Sequence, residues 1–489
     1  MPPTSTRRQF LRSSLGVLGA ASASSLGCEL DGVWGVQYEG IYTNQFTYRP
    51  GDTINVFCSL RSGALIPFEF LRIDVRPQVV AATVWATPAN FGNPTPGGRS
   101  AGFLVAVAMP ASELATGVYM VRIPPALMQP ENRLNTGNGY PSDNSVAFFV
   151  VTPRVAGSSS RILWLHDSLT GAAYSSFADY SIYPTTAGGA HTVSYWRPGL
   201  DRTTTWSHGN IPFLRGHGYD FEFTDLVDLV AAVPDYLNAY DLVCCVGQFE
   251  YVPNEVIDQL AAFQKGGGNI FAATHEFGIF RARLNYSLNT FTTYKWDYVN
   301  EDPYYTSGDP ELIAHVAGIG MNSPANPFET EILGQTVWPA HRISVEEMVS
   351  LPVYNVTEAG WILEGTGIGA GDALPAAFNE FASGLCVEFD GGEPFPILAE
   401  EMRLPEGLVV WGARPSSDGV DWRARPGSPT WEWPALASGF ATATLQQRGS
   451  GAQVVTLPSP AMAEWNVGVG NPIYDRLLLN IFGRLSARG

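Results

Sequence analysis

Acidic, imidazole and phenolic side chains collect at four points of this chain, each just where a short apolar run stops. Ile162-Leu163-Trp164-Leu165 ends in His166-Asp167, and Phe221-Glu222-Phe223-Thr224 ends in Asp225. Leu242-Val243-Cys244-Cys245-Val246-Gly247 runs into Gln248, with Glu250 and Tyr251 just beyond, and Ile270-Phe271-Ala272-Ala273 runs into His275-Glu276. In an open parallel sheet, ligands sit outside the carboxyl ends of the strands, where the connections leave a crevice. Strand tips of this kind would bring all these groups to one edge. Any one of them reads most simply as a turn or cap residue; their convergence is what raises a site. Glu, His and Tyr are hard or borderline ligands that suit iron, or less readily zinc, and not a soft thiolate site. A metal there would supply a Lewis acid and an activated water, with Glu250 or His275 moving protons.

Other chemistries fit less well. The position after the third run, where a nucleophile elbow would place Ser or Cys, holds Gln248. Cys244 and Cys245 fall inside that run, so an amidotransferase-type cysteine is disfavoured and both read as buried core residues. The remaining cysteines, Cys28, Cys58 and Cys386, lack the CxxC spacing of a zinc site, although a Cys58–Cys386 disulfide is conceivable in an oxidising compartment. Gly365 to Gly371 is rich in glycine but has no strand-to-helix setting, which argues against a nucleotide loop.

The elements that must position the tips follow from periodicity. From Arg161 onward, continuous apolar runs alternate with longer segments, the pattern of parallel strands covered on both faces. Val256, Ile257, Leu260 and Phe263 have helical spacing and stop at Gly266-Gly267-Gly268, while Ile473 through Leu485 form an amphipathic terminal helix. This predicts a flavodoxin-like, doubly wound α/β domain over 160–489, with long insertions between Arg281 and about Thr430. Between Val33 and Thr152 the runs are short, alternating and punctuated by turn residues, as in Asn55–Ser59, Phe70–Val75, Ala81–Ala86, Phe103–Val107, Val118–Ile123 and Val146–Val151. They predict an antiparallel β-sandwich over 29–153, and hence an α+β multidomain chain.

Residues 1–28 read as an export signal. Arg7-Arg8-Gln9-Phe10-Leu11 precedes a short apolar stretch that fades into Ala and Ser, the layout of a twin-arginine leader. Ala21-Ser22-Ala23 offers a cleavage site, and Ser25-Leu26-Gly27-Cys28 a degenerate lipoprotein box that would anchor Cys28. Such a chain is expected in the periplasm, outside the cell or on the membrane surface. With 46 acidic and 28 basic residues the net charge is −18, and loss of Arg7, Arg8 and Arg12 leaves about −21. A nucleic-acid partner is excluded on that balance, since phosphate binding needs a basic face. At 45% hydrophobic and 15% charged residues, the composition is that of a globular protein.

Taken together, Tyr42 to Asp52, Thr116-Gly117-Val118-Tyr119, Ile162 to Leu165, Ala173-Tyr174, Ser194-Tyr195-Trp196-Arg197-Pro198, Gly218-Tyr219-Asp220, Thr224-Asp225 and Phe249-Glu250-Tyr251 resemble the large subunit of the N,N-dimethylformamidase family. The resemblance implies an immunoglobulin-like β domain followed by a class I amidotransferase-like α/β domain, and hydrolysis of a small amide. It also implies a mononuclear iron held by two tyrosines and a glutamate, and a small partner subunit or a homo-oligomer. Tyr251 carries over as one ligand, while Val252 and His275-Glu276 replace the family's usual Trp and Gly-Asn. The second tyrosine has no obvious counterpart, Tyr219 being at the wrong end of its strand. The carboxylate could be Glu276, Glu311 or Glu329, with Glu276 favoured by strand position and Glu329 by order along the chain. The competing reading is a non-catalytic exported protein that binds a saccharide or another protein through its 13 tryptophans and 20 tyrosines.

Overall fold

Alternation builds the first layer. In Thr53–Ser59 the side chains of Ile54, Val56 and Cys58 are buried while Asn55 and Phe57 are half-exposed, the period of a strand covered on one face. The computed structural model describes residues 38–88, 101–135, 142–184, 189–200, 208–320, 329–336, 349–376, 382–397, 403–415, 439–464 and 471–487. The leader and Cys28 lie outside the described residues. Gly40–Thr43, Thr53–Ser59 and Leu104–Pro110 form one antiparallel sheet. Thr47–Tyr48, Val146–Val151, Gly117–Arg122, Ile66–Arg72 and Val79–Ala86 form a second, antiparallel except where the first two strands pair. Ile54, Val56 and Val107 from one sheet meet Phe68, Phe70, Val121 and Phe149 from the other in a single core.

The second layer starts from five strands: β1 (Ile162–His166), β2 (Glu222–Asp225), β3 (Leu242–Gln248), β4 (Asn269–His275) and β5 (Gln453–Leu457). They are parallel and lie in the order 2-1-3-4-5. Beyond β5 the sheet turns antiparallel through Gly439–Gln447, which pairs with Gly384–Asp390 and Val409–Pro415. The parallel sheet expected from the sequence is thus one half of a mixed nine-stranded sheet. Three strands of its other half come from the region between Arg281 and Thr430, where apolar periodicity is weak, and the fourth, Gly439–Gln447, follows it.

The helices that flank the parallel strands include α1 (Ser168–Tyr174), α2 (Leu226–Val230), α3 (Asn254–Lys265) and α4 (Pro472–Leu485). Successive residues of a strand face opposite sides. Cys244 therefore packs with Trp164 and Phe271 toward α4, and Cys245 packs with Leu163 and Ile270 toward α3. Because both faces are covered, the strands are mostly apolar between their ends, and the polar residues they carry, such as Glu222 and Asn269, are themselves hydrogen-bonded. Helix α3 stops where Gly266 and Gly267 follow, and a Cβ at Gly268 would meet the Phe263 ring at 2.2 Å. Helix α4 is capped by the Asn471 side chain, 3.2 Å from the Ile473 N–H. Its buried Leu477, Leu478, Ile481 and Phe482 contribute roughly 1.5–3 kcal/mol each, which fixes the helix to the sheet.

Cys58 and Cys386 are both free and buried, so the conceivable disulfide between them does not exist. Cys58 belongs to the core of the first layer, and Cys386 to a strand of the antiparallel half. Residues 38–489 form one compact unit, and among the described residues no helix is long and apolar enough to cross a membrane.

Candidate functional site

Register brings the four tips together in pairs, His166 opposite Asp225 and Gln248 opposite His275. The first pair is occupied by the backbone. Asp167 is the N-cap of α1, accepting from the N–H groups of Leu169 at 2.9 Å and Thr170 at 3.1 Å. Asp225 is the N-cap of α2 through Val227 N–H at 2.9 Å. It also accepts from Ser168 N–H and Oγ, and stands 2.7 Å from His166 Nδ1. Helix N-termini leave N–H groups without partners, and a carboxylate one residue ahead is the usual solution. The oxygen of Thr170 then accepts from Glu250 N–H at 3.0 Å and Tyr251 N–H at 3.2 Å, so α1 fixes the chain leaving β3.

The second pair is different. Strand β3 continues through Phe249-Glu250 into the short strand Tyr251–Pro253 before α3 begins, so no helix end claims Glu250. Instead the Tyr183 hydroxyl donates to Glu250 Oε1 at 2.5 Å, and the Tyr251 hydroxyl lies 3.0 Å from that of Tyr183. The Gln248 amide nitrogen reaches three oxygens: Glu276 Oε2 at 2.8 Å, Glu250 Oε2 at 3.3 Å and the Tyr174 hydroxyl at 3.5 Å. His275 Nε2 stands 3.7 Å from Glu276 Oε2. The rings of Tyr174 and Tyr183 stack at 4.3 Å. Gln248, Glu250, Tyr251, His275 and Glu276 are all buried, and the largely buried Tyr183 and Lys295 form the rim.

Lys295 completes the cluster. Its ammonium lies 3.3 Å from the centre of the Tyr183 ring, a cation–π contact. Burial pushes its pKa down to about 8, against the opposing pull of the Glu250 and Glu276 charges. Burial likewise raises the phenols of Tyr183 and Tyr251 well above their ordinary value, and the charge on Glu250 adds to the rise. Glu276 (φ 61°) and Lys295 (φ 49°) both hold left-handed backbone. For residues other than glycine that costs roughly 1–3 kcal/mol each and persists only where the surroundings enforce it.

Of the residues singled out by sequence, Glu250, Tyr251, His275 and Glu276 are neighbours, whereas Glu329 stands apart. Its carboxylate accepts from Thr336 Oγ1 at 2.9 Å and faces Arg281 Nη2 at 3.7 Å, a buried pair of its own. Glu311 opens an exposed turn of helix at Pro310–Ile313, and Tyr219 packs edge-on against Phe482. Sequence reasoning passed over Tyr183, Tyr174 and Lys295. One signal for Lys295 is composition, because the chain has just two lysines, Lys265 and Lys295. Among the described residues no group of three or more His, Cys, Asp or Glu is placed to hold a metal ion. The donors that do gather are phenols and carboxylates, all hard oxygen ligands.

A family model described as N,N-dimethylformamidase beta subunit-like, C-terminal, matches residues 101–471 of the 489. No curated protein matches the chain.

Proposed function

The chain belongs to the N,N-dimethylformamidase beta subunit-like family, and from that premise we propose that it is an exported hydrolase that splits the carbon–nitrogen bond of a small amide at the Glu250–Glu276 cluster. The observation that supports this reading is the placement of Glu250, a buried carboxylate held between the Tyr183 hydroxyl and the Gln248 amide at the carboxyl edge of the sheet. On this reading the two layers are an immunoglobulin-like and an amidotransferase-like domain, the latter with the 2-1-3-4-5 order of flavodoxin-like sheets. The family is named for one subunit of an enzyme, so a further subunit or a second copy of the chain belongs to the proposal.

The donor set fits a hard metal such as iron. Two phenols, Tyr174 and Tyr183, and the carboxylate of Glu250 converge, and the Gln248 Oε1 beside them is buried without a hydrogen-bond partner among the described residues. Phenols that burial keeps protonated would ionise only against a cation. Tyr183, Tyr174 and Glu250 would hold the metal, with Tyr251 supporting Tyr183 from behind. When bound, the metal would supply a Lewis acid and lower the pKa of a water.

The remaining residues divide the proton work. Hydrolysis requires that a water lose a proton as its oxygen attacks the carbonyl carbon, and that the amide nitrogen gain one as the bond to carbon breaks. Glu276 takes the first proton, its carboxylate oriented by Gln248 and neighboured by His275. Lys295, an ammonium whose pKa near 8 matches the working range, gives the second. The test is release of amine from N-substituted formamides and acetamides by the metal-replete protein. Turnover that Glu250→Gln abolishes supports the reading; no amine from any short amide contradicts it.

A further inference from the structure

Helix α3 starts beside the cluster at Asn254 and carries the chain about 18 Å, at 1.5 Å per residue, to Lys265 at the amino edge of the sheet. There a groove of about 650 Å³ opens between the end of α3, the helix Glu329–Leu333, residues 403–405 and the turn 448–450. Lys265, Arg403 and Arg448 line it against one acid, Glu331. That excess of positive charge is notable in a chain of net charge −18 with only two lysines.

Arg448 Nη2 donates to the Glu331 carbonyl and, at 3.4 Å, to Gln264 Oε1, while its Nε is buried without a hydrogen-bond partner among the described residues. Arg403 Nη1 stands 3.5 Å from Glu331 Oε1, and its backbone is left-handed at φ 50°. Lys265 forms no ion pair among the described residues. A neighbouring groove of about 760 Å³ shares Ser450 and carries Trp361, whose indole N–H is also buried without a partner.

We propose that the groove at Lys265, Arg403 and Arg448 binds a ligand bearing an oxyanion, a carboxylate or a phosphate, at a site separate from the amide-cleaving cluster. Guanidinium groups match the planar geometry of such anions and lysine adds a point charge, and the adjoining Trp361 groove gives room for the rest of the ligand. Because Arg448 also ties Glu331 to Gln264, the exposed Lys265 and Arg403 are the residues to change.

The experiment is calorimetric titration of the mature protein with inorganic phosphate and with citrate, each against sodium chloride of equal ionic strength, together with thermal unfolding. Saturable binding of either probe is expected, with a rise in Tm that grows with ligand. The Lys265→Ala/Arg403→Ala double variant should bind at least about tenfold more weakly, losing two charge-assisted contacts, and should cleave amides like the parent. Phosphate binding alone identifies a phosphate site, and citrate binding a carboxylate site. The proposal is overturned if neither probe acts beyond the salt control, or if the double variant binds as tightly as the parent. Both outcomes are read from binding alone, so they stand whether or not the protein cleaves amides.

Discussion

The two halves of the carboxyl edge carry similar residues and use them differently. At β1 and β2, Asp167 and Asp225 each stand one residue ahead of a helix, where Asp167 Oδ1 and both oxygens of Asp225 accept from the N–H groups of α1 and α2. At β3 and β4 no helix starts at the tip, so Glu250 and Glu276 turn to phenols, an amide and a lysine. A strand-tip acid therefore becomes structural or reactive according to what the next residues need. Where the backbone offers unpaired donors it consumes the charge; where it offers none, the charge remains available for chemistry.

That contrast can be broken by substitution. Glu250→Gln should lower amide turnover by about 10²–10³-fold, the loss typical of removing one electrostatic group at a reacting centre, while Tm stays within a few degrees. Asp225→Asn should do the reverse. It places an NH₂ group against N–H donors and should cost roughly 2–4 kcal/mol, seen as a lower denaturant midpoint. If Asp225→Asn instead left stability intact and stopped turnover, the division between the two halves would be wrong.

Lys295→Met sharpens the comparison further, with an expected loss of about 10²-fold in turnover. If the ammonium is the proton donor, activity of the parent should fall as pH rises through about 8. The effect on stability has the opposite sense. Since the folded pKa lies below the ordinary lysine value, the ammonium weakens the fold at neutral pH, and stability recovers as pH rises from about 8 towards the unfolded value. Lys295→Met should therefore leave Tm unchanged or higher at pH 7. The smallest effect is expected for Asp167→Ala, about 1 kcal/mol for the loss of a helix cap, checked by chemical denaturation.

Much of this edge is legible in the sequence because buried parallel strands read as largely apolar runs, so the polar residues that end them stand out. Helices α3 and α4 are legible from spacing and from Gly266 and Asn471 at their ends. The rim is not. Tyr183 lies beyond α1 and Lys295 beyond the strand Thr290–Thr292, on connections without periodicity, and only the folded chain stacks one over the other. Glu329 fits the expected order of ligands, yet Arg281, distant in sequence, holds it in a separate buried pair. No pattern of spacing announces such a pairing. The antiparallel half of the sheet is hidden for a related reason, since its strands fall in and after a region with little apolar periodicity.

The central claim is that Glu250, with Tyr174 and Tyr183, is the reactive half of the edge, and metal content tests it most directly. Protein purified from an export-competent, iron-supplied host should carry stoichiometric metal; Glu250→Gln and Tyr183→Phe should lose it while folding normally, and Asp167→Ala should keep it. Metal absent from the parent, or retained equally by Glu250→Gln and Tyr183→Phe, would contradict the account.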